Sequence, residues 1–367
     1  MRNMTDEQYR RYKNSLFEQI LQNLHQPPLN IQSPIFISDG LRRRAELTFR
    51  FNKKQLVCGF NAAQSHNIVD IDNCLSLTPE INAILPLIKQ FLNQFCTLPI
   101  TIRIKNKVLT KQINNGEIWL TQAANGIDIL LEIEETINLE QRMLISEFAN
   151  NTQTVVRFSV GKKNSYPETI LEKDRPYIDI GGYHVFIPAG TFLQASDAGQ
   201  KALTDLVLQY VGDSNGQIAD LFCGVGTFSY PLSQNIKNKI IAIDSSVELL
   251  NSFQQTVNAQ IIPNITIQQR NLFKYPLDVR ELKNFNIVIF DPPRAGASAQ
   301  VKQIALLDSA DKPQKIIAIS CNPHTFVNDA NTLADSGYIL QTITLIDQFV
   351  YSKHFELAAL FIKGESL

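Results

Sequence analysis

Four short segments in the C-terminal half carry residues whose types and spacing suit chemistry: Asp220-Leu-Phe-Cys-Gly-Val-Gly-Thr-Phe228, Asp291-Pro-Pro-Arg294, Ser320-Cys-Asn-Pro323 and Asp347-Gln-Phe-Val-Tyr-Ser-Lys-His-Phe-Glu356. Cys321 sits just before Asn322, an N-cap residue type, and Pro323, which suits the first position of a helix. A thiol at a helix N-terminus is favoured as thiolate, so Cys321 is the expected nucleophile; the competing reading is a small buried residue. Glu356 lies two residues after His354 at the start of a strand, which puts both side chains on one face. It is the expected general base, against the alternative of an edge-strand carboxylate facing solvent. A thiolate plus a separate carboxylate can activate a carbon that carries no activation of its own. Arg294, a cation after Asp291-Pro-Pro, suits an oxyanion developing during reaction.

Gly224 and Gly226 let the chain turn tightly and approach a ligand, beside the free N–H groups that open the next helix. A dinucleotide fingerprint needs a third glycine three residues on, where Ser229 stands, so a nicotinamide oxidoreductase is disfavoured. Asp244 lies eighteen residues past Gly226. A carboxylate there can accept both ribose hydroxyls of a nucleoside cofactor, or it can cap a helix. Glycine loop and carboxylate together resemble an S-adenosylmethionine site.

These segments need elements to hold them. Residues 218–222, 239–244, 265–269, 287–290 and 315–320 are short, continuously apolar runs. Helical stretches at 229–235, 246–258, 297–307 and 324–336 separate them, the pattern of a parallel sheet covered on both faces. Residues 339–346 and 355–362 add two strands with no helix between. Ligands in such sheets bind at the carboxyl ends of the strands, where all four segments fall. Upstream, Thr5-Asp-Glu-Gln8 reads as a capping box opening a helix with Tyr9, Tyr12, Leu16, Ile20 and Leu24 as its stripe, ended by Pro27-Pro28. Residues 45–51 alternate strictly, Ala45, Leu47, Phe49 and Phe51 inward, and residues 100–108 alternate likewise with Arg103, Lys105 and Lys107 on one face. Helices are expected at 79–95 and 139–148, strands at 118–121 and 127–133, and an apolar hairpin at 177–187 around Gly181-Gly182. The domain division expected is 1–189, α+β, and 190–367, α/β.

The chain has 367 residues, 44% hydrophobic and 19% charged, with a net charge of −1. That balance argues against disorder and fibrous repeats. No run approaches the ~18 apolar residues of a membrane span, and residues 1–10 lack a signal-peptide core. The five cysteines have no CxxC spacing, so no metal site or disulfide framework is readable. Cys223 reads as packing and Cys58, Cys74 and Cys96 as structural. The near-neutral total hides ten cationic against five acidic residues in 1–60, and six against ten in 61–150. A positive N-terminal patch is compatible with phosphate-backbone binding, or is a solvated face.

The four segments, in this order and spacing, resemble the RNA uracil-5 methyltransferases over essentially the whole chain. The resemblance implies a class I, Rossmann-like methyltransferase domain with a mixed seven-stranded sheet, preceded by an α+β RNA-binding domain. It implies S-adenosylmethionine as methyl donor, with Cys321 as the nucleophile that adds to C6 of the uracil and Glu356 as the base that removes the C5 proton. Gln194, Asp220, Phe222, Gly224, Gly226, Asp244, Asn271 and Asp291 match positions of the cofactor pocket. Thr227, Ser196 and Val350 stand where relatives often have Asn, Asn and Pro. Many relatives carry an N-terminal barrel and a four-cysteine iron–sulfur motif; this chain begins where those would end, and no cluster is expected. The 59–75 stretch and the Asp347–Ser352 variant resemble the ribosomal branch, whereas the missing barrel and cluster resemble the tRNA T-loop branch. The expected partner is RNA, 23S rRNA ahead of tRNA, for a cytoplasmic monomer with no membrane contact. The alternative of another class is a noncatalytic RNA-binding or ribosome-assembly protein that keeps the fold.

Overall fold

The structure, a computed structural model, describes residues 1–62, 65, 67–104, 107–163, 165–213 and 216–364, and side chains within these except at 102–108. Its chain forms two compact units: a larger one of Met1–Ser38, Asp179–Val185 and Asp197–Leu367, and a smaller one of Asp39–Ile178 and Phe186–Ser196.

The larger unit is built on a sheet of nine strands among the described residues. Seven are those expected: Ile265–Gln269, Lys239–Asp244, Gln217–Leu221, Ile287–Phe290, Lys315–Ser320, Glu356–Lys363 and Tyr338–Asp347, side by side in that order. The first five run parallel, and Glu356–Lys363 inserts antiparallel between Lys315–Ser320 and Tyr338–Asp347. Gln217–Leu221, first of the five in sequence, is central, with neighbours on either side that come later in the chain. The order therefore reverses at its end, the place where such sheets bind ligands. Uninterrupted β-branched residues such as Ile240, Ile243, Ile287, Val288, Ile316 and Ile317 are all buried, as strands covered on both faces require.

The other two strands correct the expected count of seven. Asn30–Ile31 and Ile35–Phe36, too short to show an alternation, pair in parallel with Tyr338–Asp347. They bring the N-terminus into the larger unit, so the division does not follow the expected break at 189/190. The N-terminal helix, Asp6–Leu21, opens on the expected capping box at Thr5 and Gln8. Its buried stripe is Tyr9, Lys13, Phe17 and Ile20, rotated from the expected one, because a fully buried lysine occupies the middle of the apolar face.

The smaller unit has a seven-stranded sheet in the order Glu168–Glu172, Val155–Gly161, Gly126–Glu132, Asn115–Ala123, Arg44–Asn52, Gln55–Asn61, Ile68–Asp70. All pairs are antiparallel except Val155–Gly161 with Gly126–Glu132, which the Leu139–Asn151 helix connects as a parallel crossover. Ala45, Leu47, Phe49 and Phe51 point into the core as the alternation requires, against Ile81, Ile84, Ile88 and Phe91 of the Pro79–Thr97 helix. The expected single strand at 100–108 is two, Pro99–Ile104 and Lys107–Gln112, paired antiparallel. The alternation of the sequence continues in phase from one strand into the next and cannot reveal the break. The face of Arg103, Lys105 and Lys107 lies outside the described residues. Asp128 and Arg157 form a buried, two-pronged ion pair at 2.8 Å on both arms, which no periodicity announces.

Three of the ten N-terminal cations are drawn into the fold, and the other seven stay exposed. In the larger unit Lys13 is fully buried, while Arg10 and Arg11 pair with Asp6 and Glu7 one turn away. In the smaller unit Arg43 is buried and donates from Nε to the Gln194 carbonyl at 3.1 Å. Arg44 donates to the Gly190 carbonyl at 3.0 Å and stacks over Trp119. No helix among the described residues is long and apolar enough to cross a membrane.

Candidate active site

At the end of the central strand the backbone enters the left-handed region three times, at Phe222 (φ 60°), Gly224 (56°) and Gly226 (95°). Gly226 has no room for a side chain, since a Cβ there would lie 2.5 Å from the Phe253 ring. A Cβ on Gly224 would meet nothing within 4 Å, so this glycine borders open space rather than packed core. Asp244 fixes the loop: Oδ2 accepts the Gly224 N–H at 3.0 Å and Oδ1 the Ser246 N–H at 2.9 Å. The helix that follows, Val247–Ala259, is capped by Ser246, which settles the alternative of Asp244 as the cap. Each Asp244 oxygen keeps a second lone pair for another donor.

Behind this loop lies a row of carboxyls on adjacent strands. Asp220 is fully buried; Oδ2 accepts from Ser229 at 2.6 Å and Oδ1 has no hydrogen-bond partner. Burial, with Asp244 nearby, pushes its pKa up to about 7. Asp291, at the end of the next strand, is pushed up to about 7 by lost hydration and then by Asp220. On the other side of the loop Phe222 stands 5.4 Å from the Phe273 ring. Phe273 is placed by Asn271, whose Oδ1 accepts the N–H groups of Phe273 and Lys274, both at 3.1 Å.

The reacting pair expected from the sequence is brought together by register. Ser320 pairs with Leu357 across the antiparallel strands, so the next step on each puts Cys321 opposite Glu356. Glu356 is buried, pushed up to about 8 by desolvation and then by Asp291. Its Oε1 accepts from Gln348 Nε2 at 3.2 Å, and Oε2 has no hydrogen-bond partner. Arg294 draws Glu356 and Cys321 the other way, lowering both. Its loop is tied to the next helix by Asn322, whose Nδ2 donates to the Arg294 carbonyl at 2.8 Å.

Two expectations are corrected here. Asn322 does cap the Pro323–Asp335 helix, but the Cys321 thiol is pushed up to about 11, by burial and then by Glu356 and Asp291. Desolvation and two carboxyls outweigh one helix end, so Cys321 rests as the thiol. His354 does not share a strand face with Glu356, because the strand begins only at Glu356. The Arg294, Lys353 and Lys13 cations, after burial itself, hold its imidazole below the usual range. Gln194 belongs to the smaller unit, where it is buried. Sequence reasoning passed over Gln348, although it stands inside a quoted segment, and over Tyr9, Lys13 and Asp347, which only the three-dimensional pairing joins.

A family model described as tRNA (Uracil-5-)-methyltransferase matches residues 6–364. The chain belongs to that family. Its relatives in the uracil-5 methyltransferase family include a protein of Agrobacterium fabrum named an uncharacterized RNA methyltransferase. It is 32% identical over 364 residues, 99% of this chain and 81% of the relative. The 23S rRNA (uracil(1939)-C(5))-methyltransferase RlmD of Haemophilus influenzae is 28% identical over 97% of this chain and 77% of its own. The crystal structure of the Pyrococcus abyssi tRNA (uracil-54, C5)-methyltransferase in complex with S-adenosyl-L-homocysteine matches with a TM-score of 0.72 at 21% identity, covering 96% of this chain and 83% of that one. That likeness carries the fold, and the larger unit has the class I, Rossmann-like methyltransferase architecture expected from its motifs.

Proposed function

We propose that this family member methylates C5 of a uridine in RNA through a covalent bond between Cys321 Sγ and C6 of the base. The observation that carries the reading is the approach of Cys321 to Glu356, one step past the Ser320–Leu357 strand pair, beside Arg294 and next to the carboxyl-lined loop. The loop fits S-adenosylmethionine. Gly224 borders open space, Asp244 keeps lone pairs for ribose hydroxyls, Asp220 Oδ1 lacks a partner, and a row of carboxyls suits a sulfonium and an ammonium. When bound, S-adenosylmethionine supplies the electrophilic methyl carbon that a uracil C5 needs.

The protein's own residues do the rest. Cys321 gives up its proton to solvent as Sγ bonds to C6, which loads the pyrimidine with negative charge that Arg294 offsets. Once C5 carries a methyl group beside its hydrogen, Glu356 takes the C5 proton. The C5–H electron pair restores the C5–C6 double bond and the C6–Sγ bond breaks. A carboxyl raised to about 8 is poised for proton transfer near neutral pH, more basic than an exposed glutamate. Gln194 we assign to cofactor binding on its family position, and RNA docking to the smaller unit.

For the RNA we adopt 23S rRNA, on the relative that carries that activity in its name and on the resemblance of residues 59–75. The tRNA T-loop is the second reading, favoured by the family description and by the archaeal structure. The test is to incubate the protein with unmodified 23S rRNA and tRNA transcripts and methyl-labelled S-adenosylmethionine, then map label after nuclease digestion. Label in 5-methyluridine of 23S rRNA is expected. Label confined to tRNA selects the second reading, and none in either removes both.

A further inference from the structure

We propose that Tyr9 and Lys13, on the N-terminal helix, are positioning residues for Glu356, acting through Asp347 and the loop that leads to the base. This rests on the reading of Glu356 as the group that takes the C5 proton.

A lysine with no exposed surface is rare unless its charge is paired. Lys13 Nζ donates to Asp347 Oδ1 at 2.7 Å and to the His354 carbonyl at 2.6 Å. Tyr9 donates its hydroxyl to Asp347 Oδ2 at 2.6 Å and accepts the Tyr351 N–H at 2.9 Å. Tyr351 is a non-glycine residue in the left-handed region (φ 60°), and its ring packs 5.2 Å from that of Tyr9. Two side chains, one helical turn apart, thus hold the strand residue that leads into the loop, the loop's middle and its end. Gln348, the residue after Asp347, donates to Glu356 Oε1, and Glu356 follows His354 by two residues. Besides the pairing of Glu356 with Ile346 across the strands, the contacts that orient the base run through positions that Tyr9 and Lys13 fix.

An apolar pair at positions 9 and 13 would seat the helix as firmly, since a buried ion pair is seldom worth more than good packing. It would not hold a carbonyl and an N–H of the loop. What the polar pairs add is backbone placement, and placement of a base governs proton abstraction more than binding.

The step concerned breaks the C5–H bond. The proton passes to the Glu356 carboxylate, the electron pair re-forms the C5–C6 double bond, and Sγ leaves as thiolate. Single-turnover reactions would use a 23S rRNA transcript labelled with [5-³H]uridine, with a tRNA transcript in parallel. Variants are Tyr9→Phe, which removes one hydroxyl, and the double Lys13→Met, Asp347→Asn, which leaves no lone buried charge. The expected result is formation of the detergent-resistant protein–RNA adduct within about twofold of wild type, tritium release slowed about tenfold, and adduct accumulating. Unchanged tritium release in both variants, or adduct formation and release slowed by the same factor, overturns the inference. Glu356→Gln releasing tritium at the wild-type rate removes the Glu356 reading itself and this inference with it, so the two failures are distinguishable.

Discussion

Glu356 is the group whose burial should be most visible in solution. Its side chain is 4% exposed, and its pKa stands at about 8 against an unfolded value near ~4.3. Folding therefore favours the protonated form. That contribution is fully present below pH ~4 and is lost as pH rises through about 8. At 1.36 kcal/mol per unit, the loss between pH 5 and pH 9 comes to about 4 kcal/mol at most. Water penetration and relaxation reduce it to about 2 kcal/mol. Glu356→Gln keeps the shape and the Gln348 partner but cannot ionise. Its melting temperature should equal the wild type's near pH 5 and exceed it by about 4–8 °C at pH 9, from the size of the larger unit. Differential scanning fluorimetry of both proteins across this range measures the gap. Parallel curves would refute the claim that burial holds this carboxyl neutral.

Gly224→Ala should lose about 1–2 kcal/mol to its left-handed backbone, with no packing clash, and bind S-adenosylhomocysteine more than about tenfold more weakly by calorimetry, because its Cβ points into open space. Gly226→Ala should instead lose about 3 kcal/mol of stability, from the Phe253 clash and the left-handed backbone. Arg294→Met removes the cation that lowers Cys321 and Glu356, and should slow adduct formation about tenfold at neutral pH, read as a detergent-resistant band. In the smaller unit, Arg157→Met leaves Asp128 buried and unpaired and should cost about 3–5 kcal/mol, seen as early loss of that unit in thermal melts.

The strands that carry the site were legible because they are buried on both faces. Ile287–Phe290 and Lys315–Ser320 are continuous buried apolar runs that end where expected, and Lys239–Asp244 is nearly so, whereas Ile265–Gln269, at the sheet edge, is largely exposed. Cys321, Asp291 and Asp244 follow from reading strand ends, which is a matter of local sequence. Burial and long-range pairing were not legible. The thiolate expected at Cys321 reflected one helix end, whereas Glu356 arrives beside it only through the register of a strand thirty-odd residues on. Lys13 lay on a helix whose polar residues all looked solvated, and its partner Asp347 is 334 positions away. The two short N-terminal strands carry no period at all, so their place in the larger unit was invisible. Of the N-terminal cations, only Lys13, Arg43 and Arg44 are taken from the surface by such long-range pairing; the other seven stay exposed.

The central claim, that Cys321 bonds to C6 of a uridine, is tested most directly by trapping. RNA containing 5-fluorouridine at the methylated position, incubated with the protein and S-adenosylmethionine, should give a detergent-stable complex, since fluorine at C5 cannot leave as a proton. Mass spectrometry of the digested complex should place the nucleotide on the peptide containing Cys321, and Cys321→Ala should give no complex. A complex that persists in Cys321→Ala, or one that maps to Cys223, would contradict the account.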